Sequence, residues 1–337
     1  MARVGTEVER VVSGTWRMHG IDIRSAWRLP GARAIAPTAD AWTIAAGDGA
    51  RPVVLSSAAS VMRDESAGRV QAEAFAVDSG LVFRAPTVCT ATVDLDARLV
   101  HVWPEDPQRG VFISLVLQGA LAALLIDVAG DVAMHASAVE HRGAALLFAG
   151  VSGQGKSTTA VMAVEGGARF FSDDVVRVAA DDNGRSLGYR GTVEARLRPA
   201  AAEVGRSVGG SVRATSDGRT AVTLDGDSGP DVLPVGAVVL PRPDRAAVRC
   251  DVTVLAEDQA FLELHRCLRL PGWSDPAVRM RRFDALALLA ARVPVLLARI
   301  PWQLPFAAGA GRELLDGIDV ATGAPAAVVV GRREFDR

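Results

Sequence analysis

The chain has 337 residues, enough for about two domains, with 49% hydrophobic and 23% charged residues, as in ordinary globular proteins. Its 37 basic and 39 acidic residues give a formal net charge of −2. This balance, without a run of like charges, argues against nucleic acid as a partner.

Three further features exclude other classes. Residues 1–14 mix Arg, Glu and Val without an apolar stretch, so we expect no signal peptide. The most apolar segments, 111–129 and 285–302, are interrupted by polar or charged residues and are interpreted as buried helices, so no membrane partner is expected. The three cysteines lack metal-ligand spacing, which predicts reduced thiols in a cytoplasmic protein: Cys89, Cys250 and Cys267.

Residues 1–110 are predicted to form a β-rich N-terminal domain. Short runs of Val, Ile, Thr and Leu are separated by Gly, Pro, Asp and Ser, and the candidate strands are 20–25, 41–44, 53–55, 81–83, 89–95 and 99–102. The pattern favours a small antiparallel domain without a chemical motif. We expect its histidines, His19 and His101, to be structural.

Residues 111–337 are predicted to form a catalytic α/β domain. A buried helix at 115–126 is followed by strands at 136–139 and 144–149, a Gly-rich loop, a helix at 157–165 and a strand at 169–171. Strand, loop, helix and strand in this order form the unit that a nucleotide-binding core requires. Later strands are predicted at 236–240 and 293–299, helices at 258–268, 284–291 and 311–315, and a mobile stretch at 205–218.

The loop after the second of these strands matches the phosphate-binding pattern G-x-x-x-x-G-K-[ST] at every fixed position. Glycines let backbone N–H groups turn toward an anion, and the following helix adds its dipole. Lys156 would contact the β- and γ-phosphates of a nucleoside triphosphate, and the Ser157 hydroxyl would bind Mg²⁺. The predicted binding residues are Gly150, Ser152, Gly153, Gln154, Gly155, Lys156, Ser157 and Thr158.

Lys156 is the only lysine of the chain; every other basic residue apart from histidine is arginine. Against such a bias, a single lysine in the loop indicates a role that a guanidinium cannot fill.

A pair of carboxylates, Asp173 and Asp174, follows a short apolar strand 17 residues after Lys156. This compact spacing, with no Leu-Ser-Gly-Gly-Gln stretch, favours a small kinase-like core over a transport ATPase. Because side chains alternate along a strand, one carboxylate would hold Mg²⁺ and the other would face an acceptor hydroxyl as general base. His135, before the loop strand, could tune the base or orient the metal.

The segments Met134-His135-Ala136-Ser137-Ala138-Val139, 150–158 and Phe171-Ser172-Asp173-Asp174 resemble the HPr kinase/phosphorylase family, and more closely its stand-alone, lasso-peptide-kinase-type relatives. The resemblance implies a P-loop kinase core like that of phosphoenolpyruvate carboxykinase. It also implies ATP-dependent phosphorylation of a serine hydroxyl. Lys156, Ser157, His135 and the aspartate pair fall on the family's site.

From the resemblance we expect Asp173 to be the general base and Asp174 the metal-side carboxylate, although the two roles could be exchanged. The sequence departs from the bifunctional enzymes at Thr158. Their Glu-x-Arg-Gly-x-Gly signature has only a partial counterpart at Glu194 and Arg196. Phosphorylase activity and HPr as the substrate are therefore not expected.

The sequence thus predicts a kinase that uses ATP and Mg²⁺ and phosphorylates a serine of a small, lasso-type precursor peptide. Two alternatives stay open: a small-molecule kinase, and an ATP-binding regulatory protein without an acceptor. A peptide or small protein is the expected partner. The oligomeric state and the role of the arginine cluster at residues 279–282 stay open.

Overall fold

The computed structural model describes residues 14–54, 58–106, 110–215, 218–224 and 229–323. Within these ranges the strands form two large sheets and one small sheet, with helices on the faces of the second large sheet. The molecule is therefore of mixed α and β structure, as predicted. Most of residues 1–14, where no signal peptide was expected, lie outside the described ranges.

The first sheet contains the strands of the N-terminal region, in the spatial order β3-β1-β2-β4-β9-β8-β7-β6-β5. They are β1 Gly14–Met18, β2 Ile21–Ser25, β3 Arg33–Ala34, β4 Trp42–Ala46, β5 Ser60–Ser66, β6 Arg69–Val77, β7 Gly80–Ala85, β8 Cys89–Asp94 and β9 Leu99–Pro104. Five of the six predicted strands are confirmed. The sixth is wrong in its described part, because Val53 and Val54 lie outside any strand, while Leu55 lies outside the described residues.

The purely antiparallel arrangement expected for this region is also wrong. Strands β5 to β9 pair antiparallel with their chain neighbours, but β4 pairs parallel with both β2 and β9. Strands β5 to β9 form an antiparallel meander whose last strand, β9, lies beside β4. Both neighbours of β4, β2 and β9, therefore run parallel to it. The result is a mixed sheet.

A helical segment leads from the first sheet to the second. It comprises α1 Gly110–Val116, a π-helical turn Leu117–Leu121 and α2 Ala122–Val128. The predicted helix at 115–126 is confirmed, with a π turn inside it. Its apolar residues, including Leu117, Leu121 and Leu124, share one buried core with the first sheet. No helix within the described ranges is long and apolar enough to cross a membrane.

The second part of the chain contains the remaining elements. They are β10 Val132–Met134, β11 Ala136–His141, β12 Ala144–Ala149, α3 Lys156–Glu165, β13 Arg169–Ser172, β14 Val176–Ala180, β15 Ser186–Tyr189, β16 Glu194–Leu197, α4 Ala202–Ser207, β17 Ser211–Ala214, β18 Thr220–Thr223, β19 Val232–Asp244, β20 Asp251–Val254, α5 Glu257–Arg266, α6 Pro276–Arg292, β21 Val295–Pro301 and α7 Ala310–Thr322. A 3₁₀ turn at Pro199–Ala201 precedes α4. The strands and helices predicted individually are confirmed, and α6 and α7 are much longer than predicted. The interpretation of residues 285–302 as a buried helix is wrong from Val295, where β21 begins.

Three parallel strands lie at the centre of the second sheet. Strand β12 pairs parallel with β19, and β19 pairs parallel with β21, so their carboxyl ends meet at one edge. Side chains of β12 alternate between two cores. Leu146 and Phe148 pack under α3 and α7, whereas Leu147 and Ala149 share a core with α5 and α6. This packing fixes the edge from which the Gly-rich loop emerges.

The small sheet has the order β16-β18-β17 and lies beside α3 and α4. The stretch 205–218, predicted to be mobile, contains the end of α4 and strand β17, while residues 216 and 217 lie outside the described ranges. Its mobility stays a prediction.

Candidate functional site

The Gly-rich loop connects β12 to α3 and is shaped by three glycines in the left-handed region. Gly150, Gly153 and Gly155 have φ angles of 153°, 91° and 80°. A side chain at Gly155 would be excluded for two reasons. The positive φ disfavours any residue with a Cβ, and an added Cβ would lie 2.4 Å from the ring of Trp302. These glycines allow consecutive loop amides to face one anion before the helix begins.

Two side chains fold back onto this loop. The Gln154 amide oxygen accepts the Val151 N–H at 2.9 Å, and Lys156 Nζ donates to the Val151 carbonyl at 3.1 Å. Lys156 is buried, which lowers its pKa, although Asp174 and Asp173 oppose that effect. Thr158 is buried in the first turn of α3, whereas Ser152 is exposed. The only lysine of the chain is therefore held across the loop.

Asp173 contacts the loop through Ser157. The Ser157 hydroxyl donates to Asp173 Oδ1 at 2.8 Å, and the Ser137 hydroxyl donates to the same oxygen at 2.5 Å. The backbone N–H of Arg196 donates to Oδ2 at 2.8 Å. Burial raises the pKa of Asp173, and these three donors partly offset the increase. This carboxylate is enclosed and linked to the loop hydroxyl.

Asp174 points elsewhere because its backbone turns sharply. It has a φ of +64°, and the Val175 N–H donates to the Asp173 carbonyl across it at 2.8 Å, which closes a tight turn. Such backbone is costly for a non-glycine residue and is concentrated at functional sites. The Asp174 side chain is 39% exposed, in contrast to enclosed Asp173. The two carboxylates thus present different faces, but the cause is this turn and not the predicted strand alternation, since β13 ends at Ser172.

Asp174 lies between two basic groups. His135 Nδ1 lies 3.0 Å from the Asp174 carbonyl oxygen and 3.3 Å from its Oδ1, and Arg269 Nε donates to Oδ2 at 3.3 Å. Partial burial would raise the pKa of Asp174, but the charges of Arg269 and Lys156 hold it well below its usual range. Burial lowers the pKa of His135 to about 4, so this imidazole is neutral at pH 7.

The structure brings the predicted residues together: Lys156, Ser157, Asp173, Asp174 and His135 form one connected cluster. The expected division of roles was Asp173 as base and Asp174 at the metal. The geometry favours the exchanged division, because the carboxylate beside the loop hydroxyl is Asp173 and the accessible one is Asp174.

Sequence reasoning missed two residues of this cluster. Arg269 follows β-bridge residue Leu268, and its Nη1 also lies 4.0 Å from Asp64 of β5. Gly119 lies in the π turn, where an added Cβ would lie 3.2 Å from both Asp174 Oδ2 and Arg269 Nη2. Arg269 stands in no motif. A glycine inside an apolar helix was the one usable signal, since π turns often occur at functional sites.

Other predicted candidates lie at different distances from the cluster. Arg196 contributes its backbone to Asp173, but Glu194 is paired with Arg213 at 3.0 Å and supports the small sheet. Exposed Arg198 follows β16, and its Nη2 would lie 3.1 Å from a Cβ added at Gly153, so its guanidinium stands beside the loop.

The arginine cluster at 279–282 has a structural member. Arg282 is buried, donates to the Leu270 carbonyl at 2.8 Å and lies 3.8 Å from Asp127 Oδ1. The indole N–H of Trp273 donates to Asp127 Oδ2 at 2.9 Å. This buried network joins α2 to α6.

The donor set fits a hard divalent cation together with phosphates. Within the described ranges, no group of three or more His, Cys, Asp and Glu side chains could hold a metal by itself. Mg²⁺ in nucleotide sites uses one or two protein oxygens plus phosphate oxygens and water. Ser157 Oγ and the Asp173 carboxylate supply two such oxygens at one point.

Comparisons with known proteins add little to what this geometry shows about the site. No protein-family model matches the chain, and no curated protein matches it. The solved structures that resemble it include that of the HPr(Ser) kinase/phosphatase from Coxiella burnetii. That protein is 11% identical, and the match covers 57% of this chain and 92% of that chain with a TM-score of 0.31. A likeness at this TM-score defines neither the fold nor the activity.

Proposed function

We propose that this chain is an ATP- and Mg²⁺-dependent kinase that transfers the γ-phosphoryl group to a serine hydroxyl of a small, lasso-type precursor peptide. The second sheet would then be a P-loop core of the HPr kinase and phosphoenolpyruvate carboxykinase type. The observation that carries the proposal is the Ser157–Asp173 hydrogen bond of 2.8 Å, with accessible Asp174 at the next position. A metal-side carboxylate and a second carboxylate for the acceptor are what phosphoryl transfer to a hydroxyl requires.

The triphosphate would bind along the Gly-rich loop. Inward amides of the loop, the amino end of α3 and the Lys156 ammonium would neutralise its charge. The exposed Arg198 guanidinium beside Gly153 supplies a further positive charge at the same place. An arginine in this position matches a transition state whose charge is spread over the phosphoryl oxygens.

Ser157 and Asp173 would hold Mg²⁺. A cation held by these two residues would supply positive charge to neutralise the phosphates. Asp173 is suited to this role because it is enclosed, accepts three hydrogen bonds and touches the loop hydroxyl. Its orientation is fixed before any ligand arrives.

Asp174 would accept the hydrogen bond of the acceptor hydroxyl and take its proton. Arg269 and Lys156 keep this carboxylate ionised at neutral pH, and neutral His135 donates to its backbone carbonyl. In a loose transition state the proton leaves late, so a fixed, ionised carboxylate contributes mainly by aligning the hydroxyl.

A peptide acceptor is favoured by the surroundings of Asp174. The carboxylate lies close to Gly119 of the helical segment, and its partner Arg269 reaches Asp64 on the edge strand β5. Residues 272–274 already pair with β5 at residues 61–63, so an extended peptide would add only along the end of this edge that holds Asp64. As a consumer of ATP, the protein is proposed to work in the cytoplasm.

The test is phosphoryl transfer by the purified protein with ATP and Mg²⁺. Synthetic precursor-type peptides with a serine and with alanine in its place are compared by mass spectrometry, and ATP consumption is followed in parallel. We expect a phosphate adduct only on the serine peptide. Binding of ATP with no turnover under any acceptor would support the regulatory alternative, and transfer to small alcohols alone would support a small-molecule kinase.

A further inference from the structure

Two aromatic side chains lie beside the Gly-rich loop and have no role in the chemistry described above. Trp302 follows directly after β21, and Phe306 lies four residues further. The carboxyl ends of β12, β19 and β21 share one edge of the sheet, so the segment after β21 and the Gly-rich loop emerge side by side. Ligands of open α/β sheets bind at this edge.

The contacts fix Trp302 against the loop. Its six-membered ring lies so near Gly155 that a Cβ there would come within 2.4 Å. Its backbone N–H donates to the carbonyl of Asp244, at the end of β19, at 2.9 Å. The rings of Trp302 and Phe306 are 5.3 Å apart at 76°, an edge-to-face pair. The indole is thus held by the loop, a neighbouring strand and a second ring.

The pair is not simply part of the core. Neighbouring residues Ile300 and Ala310 are buried, whereas Trp302 and Phe306 keep part of their surface in solvent. Both pack against the core that lies under α3 and α7. Aromatic surface kept open at the mouth of a phosphate site is suited to the flat face of a heterocycle.

We propose that Trp302, supported by Phe306, is the platform on which the nucleobase of the bound triphosphate stacks. This inference rests on the proposed function, because it assumes that the loop holds the phosphates. Stacking on an aromatic face tolerates any base, since every base has a π face. The platform therefore supplies affinity for the nucleoside part, separately from the charge-based affinity of the loop.

The test compares ATP with inorganic tripolyphosphate, both with Mg²⁺, by titration calorimetry. The wild-type protein should bind ATP more tightly than tripolyphosphate. In Trp302→Leu, ATP affinity should fall about tenfold or more, and tripolyphosphate affinity should stay unchanged. Trp302→Phe should keep most of the ATP affinity. Phe283→Leu, at an exposed aromatic residue of α6, is the matched control and should change neither.

Tripolyphosphate binding distinguishes a failure of the nucleobase platform from a failure of the proposed function. Equal affinities of the wild-type protein for ATP and tripolyphosphate would overturn the platform and leave the phosphate site standing. So would an equal loss of both ligands in Trp302→Leu, because Trp302 would then act only by shaping Gly155. Absence of tripolyphosphate binding to the wild-type protein would overturn the proposed function, and the platform with it.

Discussion

Ser157 and Asp173, sixteen positions apart, are joined by a hydrogen bond of 2.8 Å from the serine hydroxyl to carboxylate Oδ1. The serine stands in the first turn of α3, and the aspartate directly follows β13. The contact therefore links the Gly-rich loop to the acidic turn, which is the turn formed by Asp173 and Asp174. It makes Ser157 and Asp173 one unit.

This unit predicts non-additive mutations. Ser157→Ala and Asp173→Asn should each lower kcat by about a hundredfold or more, because each removes an oxygen that would hold Mg²⁺. The double variant should be little worse than either one, since the two residues serve one cation. Ser137→Ala removes another donor to Asp173 and should cost much less. Additive losses measured in steady-state kinetics would argue against a shared cation.

Lys156 offers a direct chemical test, because the chain has no other lysine. An acyl-phosphate analogue of ATP should acylate Lys156, and excess ATP should suppress the labelling, as seen by peptide mass spectrometry. Arg279→Lys adds a second lysine at an exposed position and should not be labelled by the analogue. Labelling of both lysines, or labelling insensitive to ATP, would contradict nucleotide binding at the loop.

Arg269 should set the acid limit of activity through Asp174. The arginine lies 3.3 Å from the Asp174 carboxylate and is among the groups that hold its pKa below the usual range. In Arg269→Leu this pKa should rise, so activity should be lost at a higher pH as the solution is acidified. The measurement is the pH profile of kcat/KM. Arg266→Leu, at an exposed arginine paired with Glu263, should leave the profile unmoved.

We expect the variant Gly119→Ala to fold normally but to lose activity. An added methyl would lie 3.2 Å from Asp174 Oδ2 and Arg269 Nη2, close enough to displace them by a few tenths of an ångström. We expect about a tenfold loss of kcat, with little change in melting temperature. Gly317→Ala in α7 meets Val252 at a similar 3.1 Å and serves as the control. Equal loss in both variants would indicate a general effect of packing.

His19 should weaken the fold in acid. It is fully buried, and within the described residues neither ring nitrogen has a hydrogen-bond partner. Burial, and then Arg177, lower its pKa from 6.5 to about 4, with partial opposition from Asp174. The unfolded chain therefore takes up this proton first as pH falls, and the stability contribution present above about pH 6.5 is lost toward pH 4.

The matching measurement is urea unfolding of the wild-type protein and His19→Gln between pH 7 and pH 4. The variant should lose less stability on acidification, by up to about 3 kcal/mol. His265→Gln, at an exposed histidine of α5, should follow the wild-type curve. Parallel curves for wild-type and His19→Gln would show that the His19 pKa is not lowered.

Local signals predicted the Gly-rich loop and the acidic pair well. The spacing of Gly150, Gly155 and Lys156 fixes a local backbone shape, and the flanking apolar runs fix a strand and a helix. The direction of each carboxylate could not be predicted, because it depends on the left-handed turn at Asp174 and on the register of β11, β13 and α3.

Contacts between residues far apart in the sequence could not be predicted. Arg269 lies 95 positions from Asp174, and nothing in the sequence distinguishes it among so many arginines. The parallel pairing of β4 with β2 and β9 is equally non-local, since it follows from how the meander closes. The amino end of α6 was missed although Asp275 caps it through the N–H groups of Ala277 and Val278, with Pro276 next.

The buried core around the helical segment also has an evolutionary consequence. Residues of the first sheet, of α2 and of the later chain, such as Val175 and Leu270, pack in a single cluster. Neither half can be exchanged with that of another protein without leaving a mismatched hydrophobic face, and the same cluster supports the helix that carries Gly119 to the acidic turn. A crossover at residue 110 would therefore bring together two apolar faces that were never fitted to each other.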